Sequence, residues 1–222
     1  MPATSYRTTV EQIDSLSYNV RGFRLKLADP PALTFKPGQF VIASVPQDGK
    51  TVKRAYSIAS PPYEPNVIEL CIQHLDGGVA STYFWKLKPG DTVTISGPHG
   101  NFVPKEPVDY DPVFIALGTG VAPMRSMIKG LLHNGLTRDI WLLFGTRYEH
   151  ALLYESEFRS LVGLRRNFHY VPIVSRPKEW HGEVGHVQQT FQKHIKGFDN
   201  KEMYLCGWLK VVKAVCQDLE AM

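Results

Sequence analysis

Two short segments of this chain carry residue types suited to gripping anions and flat rings. Gly118-Thr119-Gly120-Val121-Ala122-Pro123 lies between an apolar run and an amphipathic one. A parallel strand that ends in Gly-x-Gly and enters a helix gathers backbone N–H groups at the helix N-terminus. Those amides and the helix dipole both favour a pyrophosphate. Pro123 suits a first helical turn, where its missing N–H costs nothing. It also stands where the G-x-G-x-x-G fingerprint has its third glycine, so an ordinary tight strand–helix turn stays open as an alternative. In Arg54-Ala55-Tyr56-Ser57 the guanidinium can make bidentate bonds to a phosphate. Tyr56 offers a flat amphipathic ring for stacking, and Ser57 can donate to a ring nitrogen. An edge strand with alternating exposure is the plain alternative. Gly77-Gly78-Val79-Ala80-Ser81 reads as a further helix-start anion site with Ser81 near the cap, or as a hairpin loop.

The elements that must position these groups change character along the chain. The first hundred residues read as β. Runs at residues 40–45, 67–72 and 92–96 are β-branched or alternating, and Pro37-Gly38, Pro61-Pro62, Pro89-Gly90 and Gly97-Pro98 punctuate them. Many short strands with such turns favour a sandwich or barrel. Residues 104–112, rich in proline and acidic side chains, read as an inter-domain linker. Beyond them strand and helix alternate. Residues 113–117, 140–144, 170–174 and 203–206 read as strands, the first two fully apolar as in a buried parallel sheet. Met124, Met127, Ile128, Leu131 and Leu132 repeat at helical spacing, with Gly135 as a stop. A last helix is expected to carry Leu209, Val212, Cys216 and Leu219 on one face. This order implies a doubly wound parallel sheet with helices on both sides.

Composition excludes several classes. The 222 residues suit one large domain or two modest ones, and 43% are apolar. No apolar stretch reaches the roughly 20 residues needed to span a bilayer. The N-terminus lacks the basic and apolar blocks of a signal peptide, so a cytoplasmic location is expected. Cys71, Cys206 and Cys216 are scattered, with no C-x-x-C pair, and indicate no metal site and no disulfide framework. A net charge of +4 without a basic stripe argues against nucleic acid.

The motifs taken in order resemble the ferredoxin–NADP reductase superfamily. Pro37-Gly38-Gln39-Phe40 is similar to its P-G-Q-[YF] lead-in, Arg54 to Ser57 to its R-x-Y-[ST] flavin motif, and Gly77 to Ser81 to its G-G-x-x-S phosphate loop. Lys88-Pro89-Gly90-Asp91 and Gly97-Pro98-His99-Gly100-Asn101-Phe102 resemble the end of its barrel. Gly118 to Pro123 resembles G-T-G-x-A-P, and Cys206-Gly207 its late C-G. The resemblance implies an FAD-binding antiparallel β-barrel over residues 1–105 and an NAD(P)-binding α/β domain over 106–222.

It also implies roles for matching positions. Arg54, helped by Gly78 and Ser81 within the Gly77–Ser81 loop that also holds Val79 and Ala80, would bind the FAD pyrophosphate. Ala55 belongs to the same motif, Tyr56 would pack on the flavin, and Ser57 would sit near its hydride-accepting edge. Gly118, Thr119, Gly120 and Pro123 would line the dinucleotide. Cys206, followed by Gly207, would lie beside the nicotinamide ring, although a cysteine ending a strand is also often a small buried apolar group. Ser175 and Arg176 would meet the 2′-phosphate of NADPH, Arg147 is another candidate, and a solvated loop charge is the plain alternative for both arginines. Ser-Arg-Pro also resembles segments of NADH-using relatives, so either coenzyme stays open.

The implied activity is FAD-dependent transfer of a hydride from NAD(P)H, with electrons passed to a ferredoxin or flavodoxin. A reductase of free flavin or another small acceptor, and an electron-transfer subunit of a larger complex, are the alternatives. Three departures stand out. Trp208 follows Cys206-Gly207 where many relatives have proline. The sequence stops at Met222, where relatives usually continue into a final strand, so either the chain continues or the flavin is unusually open. No cluster-binding cysteine segment is present, so an iron–sulfur partner is expected to be another protein.

Overall fold

The computed structural model describes residues 4–221. Two compact units divide the chain: residues up to Pro104 together with Arg125–Asn134, and Lys105–Met124 together with the residues from Gly135 onward.

The first unit contains the strands β1 (Thr4–Ser17), β2 (Val20–Asp29), β3 (Phe40–Gln47), β4 (Lys50–Ser57), β5 (Val67–Gln73) and β6 (Thr92–His99). They form one antiparallel sheet in the order β4-β3-β6-β1-β2-β5. The sheet curls into the expected barrel. Past β4 the chain meets β5 again, through an Ile58–Leu70 bridge and a 2.8 Å bond from the Ala59 amide to the Glu69 carbonyl. Register shifts in β1, one of them between Val10 and Gln12, bend a 14-residue strand around that curve. The inward positions, among them Phe23, Leu25, Val41, Leu70 and Ile95, are fully buried. Helix α1 (Val79–Lys86) adds Phe84, whose ring meets that of Phe23 edge-on at 5.1 Å.

The second unit is a parallel sheet of β7 (Asp111–Leu117), β8 (Ile140–Thr146), β9 (Phe168–Val174), β10 (Glu183–Val184) and β11 (Lys201–Cys206), in the order β10-β9-β8-β7-β11. Helices α2 (Val121–His133), α3 (Glu155–Leu164), α4 (Val187–His194) and α5 (Leu209–Glu220) alternate with the strands. Val113, Phe114, Ile115 and Ala116 are buried as a central parallel strand requires.

Two local expectations need correction. Pro112 lies inside β7, and Tyr110 just before it is buried with its hydroxyl donating to Lys105 O at 2.9 Å, so the linker is shorter and more tied down than its composition suggests. In α5 the buried positions are Val215 and Leu219, while Leu209 is 66% exposed. At about 100° per residue, Leu209 sits roughly 120° around the helix from Val215 and falls off the stripe.

Helix α2 keeps its expected apolar face, with Met124, Met127 and Ile128 fully buried. From Arg125 on it groups with the barrel unit. Arg125 Nη1 donates to Ala59 O at 2.7 Å and forms a short ion pair with Glu69, and Ser126 Oγ donates to Ser60 O at 2.7 Å. Among the described residues no helix is long and apolar enough to cross a membrane, and no group of three or more His, Cys, Asp or Glu is placed to hold a metal ion.

Candidate functional site

In the first unit, Arg54 to Ser57 form the end of β4, the outermost strand of the sheet. Arg54 and Ala55 are exposed, while Tyr56 and Ser57 are half-buried. The Arg54 guanidinium donates from Nη1 to Lys53 O at 2.9 Å. Tyr56 turns its ring edge-on to Phe84 at 5.4 Å. Burial pushes the Tyr56 phenol above its ordinary value, and the charge of Arg54 acts against that push, so the guanidinium lies within electrostatic reach of the ring. The tyrosine is thus held as a neutral, packed face beside an exposed cation.

Of the predicted glycine loop of the same unit, only Gly77 and Gly78 lie outside helix. Val79, Ala80 and Ser81 already form the first turn of α1, and Ala80 and Ser81 are buried. Gly77 has φ +72°, and a Cβ there would meet nothing within 4 Å. Gly78 is different: a Cβ would lie 2.6 Å from Ser81 Oγ. Ser81 Oγ needs that proximity, because it donates to Gly78 O at 3.1 Å and accepts from the Leu75 amide at 3.1 Å. Ser81 therefore shapes the loop from within. No side chain caps α1, so its leading amides keep their affinity for an anion.

Two further motifs meet here. Gln39 Nε2 donates to Gly100 O at 3.0 Å, and a Cβ on Gly38 would stand 2.1 Å from Phe102 O. The proline–glycine lead-in and the end of β6 are packed as one corner. Phe40 is registered with Ser57 on one side and His99 on the other, so these three side chains share a sheet face. His99 Nε2 is buried there with no hydrogen-bond partner among the described residues. Sequence reasoning assigned His99 no role, and its only signal was its place in the barrel-end motif.

In the second unit the strand order supplies the site. From β7 the chain runs outward through β8, β9 and β10, then returns to place β11 on the other side of β7. In open α/β sheets ligands bind outside the carboxyl ends of the strands where the order reverses, here β7 and β11. Those two ends carry the predicted residues. Gly118–Gly120 form a single 3₁₀ turn leading into α2, with no side-chain cap, and Pro123 falls in the first helical turn. A Cβ on Gly120 would lie 2.2 Å from Cys206 O, and one on Gly207 would lie 2.6 Å from Leu117 Cβ. Each strand end thus closes on the other through a glycine. Thr119 is half-buried beside them. Burial raises the Cys206 thiol above its ordinary value, and the Gly207 amide opposes this only in part. Cys206 is a neutral thiol at pH 7, suited to packing against a ring and unsuited to nucleophilic attack.

Arg147 and Arg176, 29 positions apart in sequence, are neighbours in space. The Ser175 amide donates to Thr146 O at 3.0 Å and the Arg176 amide to Arg147 O at 2.8 Å, which carries the β8–β9 pairing past the strand ends. Both arginines are exposed and Ser175 is half-buried.

Comparison with known proteins identifies both halves of the chain. Residues 7–103 match the family model of the oxidoreductase FAD-binding domain, and residues 114–217 that of the oxidoreductase NAD-binding domain. Ferredoxin–NADP reductase B of Sorangium cellulosum is 34% identical over 221 residues, covering 96% of this chain and 90% of that protein. The chain belongs to the ferredoxin–NADP reductase superfamily. Among members of this superfamily, the reductase component of phenol 2-monooxygenase from a Pseudomonas strain is 37% identical over 212 residues. That match covers 93% of this chain and 59% of the relative, so this chain spans well under two thirds of its length. The solved cytochrome P450 reductase of Amycolatopsis superposes with a TM-score of 0.90 at 28% identity, over 99% of this chain and 66% of that one. As in the superfamily, one chain here joins an FAD-binding domain to an NAD-binding domain.

Proposed function

We propose that this protein is an NAD(P)H-dependent flavoprotein reductase that moves a hydride from NAD(P)H to FAD and delivers the electrons to a separate protein carrier of the ferredoxin or flavodoxin kind. The observation that carries the reading is the strand-order reversal between β7 and β11, where Gly120 and Gly207 close on each other, in a chain whose other half matches an FAD-binding domain. The reductase names borne by relatives of similar sequence support a protein acceptor.

The residues present fit both ligands. Arg54 is an exposed guanidinium beside a packed tyrosine, and the uncapped α1 turn behind Gly77-Gly78 offers amides to a diphosphate. FAD, when bound, supplies a group that accepts two electrons together and releases them singly. Arg54 and the Gly78 turn hold its diphosphate, Tyr56 packs against its ring, and Ser57 hydrogen-bonds the ring's polar edge. Gly118 to Gly120 admit the dinucleotide close to backbone amides, and the neutral Cys206 thiol borders the nicotinamide. Arg147 and Arg176, with Ser175, take a 2′-phosphate, which makes NADPH the expected donor.

The visible spectrum of the purified protein tests this directly. A flavin spectrum that bleaches with NADPH, and FAD released on denaturation, are expected; FMN alone would sink the diphosphate assignment. Arg54→Ala should weaken FAD binding by about 1.5–3 kcal/mol, the loss of one charge-assisted hydrogen bond. Cys206→Ala should slow bleaching in a stopped-flow trace at unchanged FAD content. Rates equal to wild type would leave Cys206 as a packing residue only. The Arg147→Ala/Arg176→Ala double variant should lose about 1.5–3 kcal/mol or more of affinity for NADPH and almost none for NADH. Equal loss for both coenzymes would remove the 2′-phosphate reading.

A further inference from the structure

Glu149 lies two residues beyond Arg147, in the short turn Glu149–Ala151 that follows β8. Its carboxylate reaches across to the segment that follows β9. Both Oε1 and Oε2 accept from the Lys178 amide at 3.3 Å, and Oε1 accepts from the Glu179 amide at 3.3 Å. These bonds are long and shared, and together they hold the Lys178 and Glu179 amides, two and three residues beyond Arg176. They add to the 2.8 Å bond between the Arg176 amide and Arg147 O. The loop bearing one arginine is thereby fastened at two points to the loop bearing the other. Hydrogen bonds from the Glu149, Glu179 and Lys178 amides hold the Glu149 carboxyl below the usual carboxylate range despite some desolvation, so it is an anion at neutral pH.

An anion on loops that bear two arginines proposed to take a phosphate is, at first sight, misplaced. A carboxylate near a 2′-phosphate repels it, and in many dinucleotide sites an acidic group instead accepts from a bare ribose hydroxyl. Here the oxygens are held by backbone amides, those of Lys178 and Glu179 among them, so their geometry serves the loop. Long arginine side chains lose much rotamer freedom when a ligand fixes them. Holding their backbones side by side beforehand lowers that cost, as preorganisation does generally.

We propose that Glu149 is a positioning residue for the 2′-phosphate: its carboxylate clips the loop after β9 to the loop after β8, and so sets Arg147 and Arg176 as one paired anion grip. The inference rests on the reading that these two arginines meet that phosphate.

Calorimetric titration of the flavin-loaded protein with 2′,5′-ADP, and in parallel with 5′-AMP, separates the possibilities. Glu149→Ala should weaken 2′,5′-ADP about three- to tenfold and leave 5′-AMP within twofold. Glu149→Gln keeps an acceptor oxygen and drops the charge, so it should bind 2′,5′-ADP as well as wild type or better. In the Arg147→Ala/Arg176→Ala background, Glu149→Ala should have no further effect. Tighter 2′,5′-ADP binding in both Glu149 variants would mean the carboxylate only repels, and would overturn the proposal. Weaker 5′-AMP binding in both would mean it reads a ribose hydroxyl, and would overturn it equally. If the double arginine variant itself binds 2′,5′-ADP like wild type, the underlying reading fails with it. If that variant is weakened and Glu149→Ala is not, the inference about Glu149 alone fails.

Discussion

Replacing Arg125 by leucine should destabilise the barrel unit by about 3–5 kcal/mol, the usual cost of removing one partner from a buried ion pair. Arg125 is only 6% exposed, and its guanidinium satisfies both Ala59 O and the Glu69 carboxylate. Leucine leaves both acceptors facing an apolar group. Arg24 still reaches Glu69 Oε1 at 3.0 Å, which places the expected loss toward the lower end of that range. Glu69→Leu in the same background should recover part of it, because an apolar pair of similar volume is often as stable as the ion pair it replaces. Hydrogen exchange at the β5 amides reads this unit specifically. A loss under 1 kcal/mol would show that the Glu69 carboxylate and Ala59 O are well solvated once Arg125 is gone.

Acid should find the same contact. Burial alone would raise the Glu69 carboxyl. The charge of Arg125, with hydrogen bonds from Arg125 and Arg24, outweighs burial and sets it below the ordinary 4.5. A carboxylate depressed in the folded state contributes stability above its unfolded pKa, and that stability is lost as pH falls through the folded value. The barrel should therefore weaken only below about pH 4.5, and in Arg125→Leu, where burial meets less opposition, the part of the acid loss that belongs to Glu69 should shrink or reverse. An equal loss of stability between about pH 7 and about pH 3 in both proteins would detach Glu69 from it.

The legible parts of this protein are those set by near neighbours in sequence. The helical repeat from Met124 to Leu132, the apolar run of β7 and the glycine turn between them were all readable, since period and turn chemistry are local. The long strands β1 and β2 were not singled out, because bulges and charged outward positions blur their alternation. Helical spacing puts Leu209 on one face of α5 with Val212, Cys216 and Leu219, but the buried stripe is centred toward Val215 and leaves Leu209 out. The pairings of Arg125 with Glu69, 56 positions apart, and of Glu149 with Lys178, 29 apart, depend on which strands become neighbours. No spacing rule announces them. The reversal at β7 and β11 is of the same kind. Gly120 and Cys206-Gly207 were each recognisable as motifs, but their closing on each other is a property of strand order.

That closure gives the second large effect. Gly120→Val should reduce dinucleotide affinity about a hundredfold or more while leaving FAD content intact. A Cβ at position 120 would stand 2.2 Å from Cys206 O, 2.5 Å from Cys206 C and 2.7 Å from the Gly207 amide. All three are backbone atoms, so no rotamer change relieves the clash, and either the turn or the end of β11 must move. Overpacking a fitted site costs about 1–3 kcal/mol, and a β-branched side chain against backbone belongs at the upper end. About 3 kcal/mol is more than a hundredfold in affinity, because the displaced turn carries the amides proposed to face the diphosphate. Gly118 makes the contrast. Its φ is +55° and a Cβ there meets nothing within 4 Å, so the position asks only for left-handed backbone, which asparagine adopts at small cost. Gly118→Asn should therefore leave the second unit about as stable as wild type where Gly120→Val destabilises it, whatever the new side chain does to the ligand. Equal losses of stability in the two variants would show that the turn fails through its own backbone strain rather than through its contact with Cys206-Gly207.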